Sequence, residues 1–87
     1  MPRYFFHIYN DVVSHDDEGL ELADPQAAVS EAHRGALSLA AEQVLRHARL
    51  ALHHFIEIED SDGAVIAKVT FGDAIAVEEQ PTSLRGA

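Results

Sequence analysis

The middle of the chain is a long amphipathic helical segment, and it restricts the fold more than any other feature of the sequence. Asp24 and Pro25 start it, because the aspartate side chain can accept from free backbone N–H groups and proline suits the first helical position. Helix formers continue to about Arg49, with seven alanines between positions 27 and 48. One helix of this length, flanked by β-forming segments in an 87-residue chain, predicts a single small α+β domain.

Strand signals lie on both sides of the helix. Residues 3–9 are dense in aromatic and β-branched types, and both faces of this segment are largely apolar, which favours a central strand. A turn at Asn10-Asp11 leads into a second strand, and Asp60–Gly63 joins two strands as a hairpin. The four strands are expected at about 3–9, 12–15, 54–59 and 64–71, with a further short strand at 20–22 and a strand or helical turn at 74–77.

These elements predict an antiparallel sheet in the order β-β-α-β-β, with the long helix packed on one face. Residues 1–77 form the domain, and residues 78–87, which are polar, form a flexible tail. The core is expected to consist of the apolar residues on the facing sides of helix and sheet: Tyr4, Phe6, Ile8, Val29, Ala32, Ala36, Leu39, Ala40, Val44, Ile56, Ile58, Val65, Val69 and Phe71.

Charge and composition restrict the classes of molecule that the chain is expected to bind. The chain has 6 basic and 15 acidic residues, a net charge of −9, so nucleic acid is disfavoured. The acidic segment before the helix is expected to be a solvated loop, and a surface for a basic protein partner is the alternative. Six acidic residues and no basic one lie between Asp11 and Asp24. No apolar run is long enough for a membrane span, and no signal peptide pattern is present, so we expect a cytoplasmic protein.

No motif predicts catalysis, a cofactor or a metal site. Cysteine is absent, and the serines and threonines lie in none of the familiar nucleophile motifs. The six histidines include no His-Glu-x-x-His motif and no His-x-His pair, so structural or interface roles are favoured over metal binding. The sequence Asp60-Ser61-Asp62-Gly63 departs from a calcium loop, because its glycine stands at position 4 and Phe71 occupies position 12. We therefore predict a non-enzymatic protein.

Some apolar side chains remain after one helix covers one sheet face. This surplus predicts a homodimer. The candidate interaction surface comprises these side chains and one histidine: Phe5, His7, Tyr9, Phe55, Leu37 and Leu45.

Three stretches resemble a known family. These are the opening Met-Pro-Arg-Tyr-Phe-Phe-His-Ile, the segment from Asp16-Asp17-Glu18-Gly19 to Asp24, and the hairpin from Ile56 to Phe71. Together they resemble a family of short bacterial domains of unknown function over about residues 1–76. The resemblance implies a compact α+β domain and brings no catalytic residues. A weaker resemblance, based on Glu18-Gly19-Leu20 and Glu31-Ala32, is to HicB-type antitoxin domains.

Three classes of function follow from these observations. The favoured one is an interaction or regulatory module acting as a homodimer. The second is an antitoxin that binds a basic toxin. The third is a small-molecule or metal-binding domain that uses His7, His53 or His54.

Overall fold

The computed structural model describes residues 1–79, so the expected tail at 78–87 lies almost wholly outside the described residues. It contains a five-stranded antiparallel sheet and one long helix, as the sequence predicts. Within this described range, no helix is long and apolar enough to cross a membrane.

The sheet is built around the first strand. The strands are β1 (Arg3–Tyr9), β2 (Val13–Ser14), β3 (Leu20–Glu21), β4 (Phe55–Glu59) and β5 (Val65–Thr70). Their order is β2-β1-β4-β5, and β3 pairs with the opposite end of the same β1 edge that β2 uses. Consequently β1 has partners on both sides, whereas β5 is an edge strand.

Local chemistry fixes both ends of the long helix α1 (Pro25–His47). The Asp24 carboxylate accepts from the backbone N–H of Ala27 at 2.8 Å, and Pro25 begins the helix, as expected. At the other end, Ala48 adopts a left-handed conformation with φ of 52°, and its N–H donates to the Val44 carbonyl. The helix therefore ends slightly before the expected Arg49.

Small side chains determine how α1 meets the sheet. Ala28, Ala32, Ala36 and Ala40 recur at four-residue spacing and are all buried. This stripe lets the helix axis approach the strands, where Ile58 is fully enclosed. Burial of such an aliphatic side chain stabilises the fold by roughly 1.5–3 kcal/mol. The remaining buried apolar residues are Tyr4, Ile56, Val69 and Phe71.

A short helix α2 (Phe71–Ala74) follows β5 directly. Thr70 and Asp73 form a reciprocal capping box, in which each side chain accepts from the other residue's backbone N–H at 2.9 Å. The expected strand at 64–71 therefore ends at Thr70, because Phe71 already belongs to this helix. Phe71 also donates its N–H to the His54 carbonyl at 2.8 Å, which ties α2 to the loop before β4.

Two expected core residues are exposed. Val44 is 47% exposed, because Gln43 occupies the buried position of that helical turn. Val65 is 57% exposed, and the register of β4 and β5 shifts between Ile58 and Glu59, where Val65 pairs at the outer edge of the sheet. The core predictions for these two residues are wrong. Phe6, Ile8, Val29 and Leu39 are partly buried and pack against the core.

Candidate functional site

The predicted interaction residues lie on two separate surfaces. Phe5, His7, Tyr9 and Phe55 lie on the sheet face opposite α1, which we call the open face. Leu37 and Leu45 lie on the solvent side of α1 and are 48% and 85% exposed. The structure therefore brings the first four together and places the other two elsewhere.

Aromatic and acidic side chains alternate across the open face. In the pairing of β1 with β4, Phe5 lies opposite Glu59, His7 opposite Glu57, and Tyr9 opposite Phe55. The Tyr9 and Phe55 rings stack with centroids 4.7 Å apart. Directly opposed residues of an antiparallel pair are close enough for such contacts, so the register alone determines this pattern.

His7 is a buried residue of this face. Its Nδ1 accepts a hydrogen bond from the Asp16 backbone N–H at 3.1 Å, and its Nε2 lies 2.9 Å from Glu59 Oε1. A backbone N–H can only donate, so Nδ1 carries no proton and Nε2–H donates to the carboxylate. This neutral tautomer orients Glu59, and the His15 ring packs edge-on against His7 with centroids 5.1 Å apart.

Asp16 attaches the acidic loop, which comprises residues 15–19 between β2 and β3, to β1. Its carboxylate accepts from three backbone N–H groups, those of Phe6, Glu18 and Gly19, at 3.0–3.1 Å. Burial raises the pKa of the Asp16 carboxyl, but these three donors outweigh it, and the pKa lies below its ordinary value. The segment expected to be a solvated loop is therefore attached to the sheet through this residue.

Gly19 lets the same loop pass close to β1. Its φ is +71°, and an added Cβ would lie 2.8 Å from the Tyr4 carbonyl oxygen and 2.9 Å from the Phe5 ring. No other residue type fits both constraints. The Asp-Glu-Gly segment of the sequence is thus a structural device that positions Asp17 beside the open face.

These elements border a shallow, open cleft of about 580 Å³. Its walls combine aromatic rings, imidazoles and carboxylates from β1, β4 and the acidic loop. Burial, followed by the nearby Glu57 and Glu59 carboxylates, raises the pKa of the Tyr9 hydroxyl. The cleft is lined by Phe5, His7, Tyr9, His15, Asp16, Asp17, Glu57 and Glu59.

Basic side chains elsewhere are already paired. Arg3, Arg34, Arg46 and Arg49 form ion pairs with Glu21, Glu31, Glu42 and Asp11. On the open face, Lys68 lies opposite Glu57, but its ammonium group sits 4.6 Å above the Phe55 ring centroid. Within residues 1–79, no arginine or lysine forms an ion pair with the carboxylates of the cleft.

The second surface is an apolar ridge on α1. Leu37, Ala41 and Leu45 recur at four-residue spacing, and Val44 lies beside them. Leu50 and Ile75 continue this surface and enclose with it an apolar groove of about 440 Å³. We call this surface the outer ridge.

A buried pair supports the end of α1 away from the cleft. The Gln43 amide oxygen accepts from the Ala51 N–H at 2.7 Å, and its nitrogen lies 3.3 Å from His54 Nδ1. Burial, followed by the neighbouring His53, lowers the pKa of His54. His54 is therefore a buried side chain that packs with Gln43 inside the domain. In the part of the chain that the structure describes, no three histidine, aspartate or glutamate side chains are arranged so that they could hold a metal ion.

Sequence reasoning missed Asp16 and Gln43. A run of carboxylates gives no indication of which one will meet free backbone N–H groups. The nearest signal for Asp16 was the glycine three residues later, which marks a tight turn that an aspartate side chain can complete. A glutamine on the apolar side of a helix could have indicated Gln43 as a buried hydrogen-bonding residue.

Comparison with known proteins identifies a family for this chain. A family model described as "Domain of unknown function (DUF6894)" matches residues 3–72. No curated protein and no solved structure matches the chain. The resemblance to HicB-type antitoxins has no support in these comparisons. The matched residues include the open face and all but the last part of the outer ridge.

Proposed function

The chain belongs to the DUF6894 family, and we propose that it is a non-catalytic protein-interaction module that acts as a homodimer through the outer ridge. One observation carries this proposal: a row of apolar side chains on the exposed side of α1, with Leu45 85% exposed. Contiguous apolar patches on small soluble proteins mark interaction surfaces more often than isolated exposed residues do.

The spacing of the ridge favours a second copy as the occupant. Leu37 and Leu45 lie four residues before and after Ala41. A two-fold axis through Ala41 would therefore pack Leu37 of each chain against Leu45 of the other, as an isologous interface requires. The small central residue permits close approach of two helices, and ridges at four-residue spacing interdigitate in the commonest class of helix packing.

Charge favours the same occupant. The chain carries a net charge of −9, so two copies repel each other over most of their surface. Within α1, however, two glutamates and two arginines form the pairs Glu31–Arg34 and Glu42–Arg46. The helix is formally neutral with its histidines uncharged, and two such helices can approach without that repulsion.

The length of α1 is sufficient for an interface. At a rise of 1.5 Å per residue, a helix of 23 residues extends over roughly 34 Å. A standard interface buries about 800 Å² on each partner. The outer ridge with Leu50 and Ile75 supplies its apolar centre, and the paired charges of α1 supply a polar rim.

Sedimentation equilibrium over micromolar concentrations tests the proposal. We expect the wild-type chain to have about twice the 9.5 kDa of one chain. Leu45→Glu should weaken the dimer about tenfold or more, because it places a carboxylate at the centre of an apolar contact. Since Leu45 is largely exposed in one chain, circular dichroism should show an unchanged fold.

Val65→Glu is the matched control. It adds the same charge at an exposed apolar residue on the edge strand β5, away from the outer ridge. A dimer that survives Val65→Glu and dissociates with Leu45→Glu supports the proposal. A wild-type monomer contradicts it, and a dimer that only Val65→Glu disrupts assigns the contact to the edge of the sheet instead.

A further inference from the structure

The cleft on the open face has the chemistry of a site for a cation. Two of its carboxylates, Asp17 and Glu57, face it without an arginine or lysine partner among residues 1–79, whereas the four ion-paired arginines all lie elsewhere. Aromatic rings line the same cleft, so the feature is more than a group of acidic side chains. Acceptor oxygens beside ring faces are the surroundings that a guanidinium group prefers.

The ammonium group of Lys68 lies beside the cleft on the same face. The Lys68 ammonium lies 4.6 Å above the Phe55 ring, although Glu57 is its direct partner across the strands. Phe55 in turn stacks on Tyr9, which lines the cleft. The open face therefore holds one positive charge by contact with an aromatic ring. The Glu57 carboxylate accepts from the Tyr9 hydroxyl at 3.4 Å and forms no ion pair with an arginine or lysine of residues 1–79.

The walls of the cleft are held in place before any ligand arrives. His7 donates to Glu59 and accepts from the loop backbone, and Asp16 secures the loop through three backbone N–H groups. Binding to such a site requires little ordering of side chains.

We propose that the cleft lined by Tyr9, Asp17 and Glu57 binds an arginine side chain of a basic protein segment. The guanidinium group donates to the Asp17 and Glu57 carboxylates and lies against the aromatic wall. A planar cation with several donors uses both features, whereas a lysine ammonium is a point charge. This proposal rests on the interaction function proposed above but does not depend on the dimer.

Titration of the full-length protein with a short blocked peptide of alternating glycine and arginine tests the site. The matched peptide has citrulline, which is neutral and of similar shape, in place of arginine. We expect saturable binding of the arginine peptide by calorimetry and no detectable binding of the citrulline peptide. Amide NMR shifts should be confined to β1, β4 and the acidic loop at residues 15–17.

Two double variants separate a site from general attraction to an acidic protein. Asp17→Asn with Glu57→Gln removes two charges from the cleft, and we expect it to weaken binding about tenfold. Asp62→Asn with Glu78→Gln removes two charges from exposed positions outside it, and binding should change less than twofold. Neither pair includes His7, Asp16 or Glu59, whose hydrogen bonds attach the acidic loop to the sheet and orient the cleft.

The outcomes distinguish this site from its alternatives. Equal weakening by both double variants would overturn the proposal, because the peptide would then respond only to net charge. Magnesium or calcium shifting the same amides, with no effect of the arginine peptide, would also overturn it. Since the peptide assay is read in monomer and dimer alike, peptide binding by a monomeric chain would contradict the homodimer alone.

Discussion

At the scale of single residues, Gly19 and Gly63 provide a matched pair. Both have positive φ, +71° and +86°, but an added Cβ at Gly19 would meet the Tyr4 carbonyl oxygen at 2.8 Å, and one at Gly63 would meet nothing within 4 Å. We expect Gly63→Ala to lower the free energy of unfolding by about 1–2 kcal/mol, the cost of the left-handed conformation. Gly19→Ala should cost several kcal/mol or prevent folding.

Urea unfolding followed by circular dichroism measures both variants. Gly63→Ala is the control, since it isolates the conformational cost from the steric one. Similar losses for the two variants would mean that the acidic loop moves away from β1 at little cost. The contact of this loop with Tyr4 and Phe5 would then not be needed for stability.

Asp16 predicts a dependence of stability on pH. Its pKa is lowered in the folded chain, so its carboxylate stabilises the fold above the ordinary value of 3.8, and this contribution is lost as the pH falls through the lower folded value. Asp16→Asn should reduce the free energy of unfolding at pH 7 by about 1–3 kcal/mol, because an amide nitrogen cannot accept from the backbone donors.

The measurement is urea unfolding of wild type and Asp16→Asn at pH 7 and at pH 3. The difference between the two proteins should shrink at the lower pH, where the wild-type carboxyl begins to be protonated. Asp62→Asn is the control, because it makes the same change at an exposed turn residue outside the acidic loop. An unchanged difference at both pH values would contradict the role of the charged form.

At the scale of elements, local patterns predicted most of the fold. Aromatic and β-branched composition located β1, and the turn at Asp60–Gly63 located the hairpin of β4 and β5. The Asp24-Pro25 signal located the start of α1, because all these features depend on residues near in sequence. Long-range effects were less accessible. The exposure of Val65 follows from a shift in strand register, and the exposure of Val44 follows from Gln43 taking the inward position.

The candidate site was predicted only in part. The sequence placed Phe5, His7, Tyr9 and Phe55 in the candidate interaction surface, and the structure adds the facing glutamates through the register of β4. The acidic loop could not be placed from the sequence, because its position depends on Asp16 accepting the N–H of Phe6 from another element. Leu37 and Leu45 lie on the outer ridge instead, because they are on the side of α1 that faces solvent rather than the sheet.

The C-terminal end of α1 offers a stabilising change. Ala48 adopts φ of 52°, a conformation that costs an L-residue roughly 1–2 kcal/mol and glycine little. Glycine also loses more backbone entropy on folding, which offsets part of the gain. We therefore expect Ala48→Gly to raise the free energy of unfolding by about 0.5–1 kcal/mol in urea melts.

Ser38→Gly is the control for this substitution. It introduces glycine at an exposed position inside α1, where the residue destabilises a helix by roughly 0.5 kcal/mol relative to serine. The two glycines should therefore change stability in opposite directions. Destabilisation by both would indicate that the left-handed end of α1 is not maintained in solution.

At the scale of the whole molecule, the net charge of −9 has opposite consequences for the two proposed contacts. Two copies meet at the outer ridge by burying apolar side chains, while the charges on the rest of each chain repel. An arginine peptide meets the cleft by attraction between opposite charges. Added salt shortens the screening length from about 30 Å at 0.01 M to about 10 Å at 0.1 M, and it weakens repulsion and attraction alike.

Raising the sodium chloride concentration from about 20 to about 500 mM should therefore strengthen the dimer and weaken peptide binding. The first concentration lies below, and the second above, the one at which the screening length is ~10 Å. We expect the dimer dissociation constant to fall severalfold by sedimentation equilibrium and the peptide constant to rise about tenfold by calorimetry. The double variant Asp62→Asn with Glu78→Gln removes two negative charges from exposed positions, so the magnitude of the net charge falls. It should reduce the response of the dimer to salt. A dimer that dissociates with added salt would mean that ion pairs, rather than the apolar outer ridge, hold the two chains together.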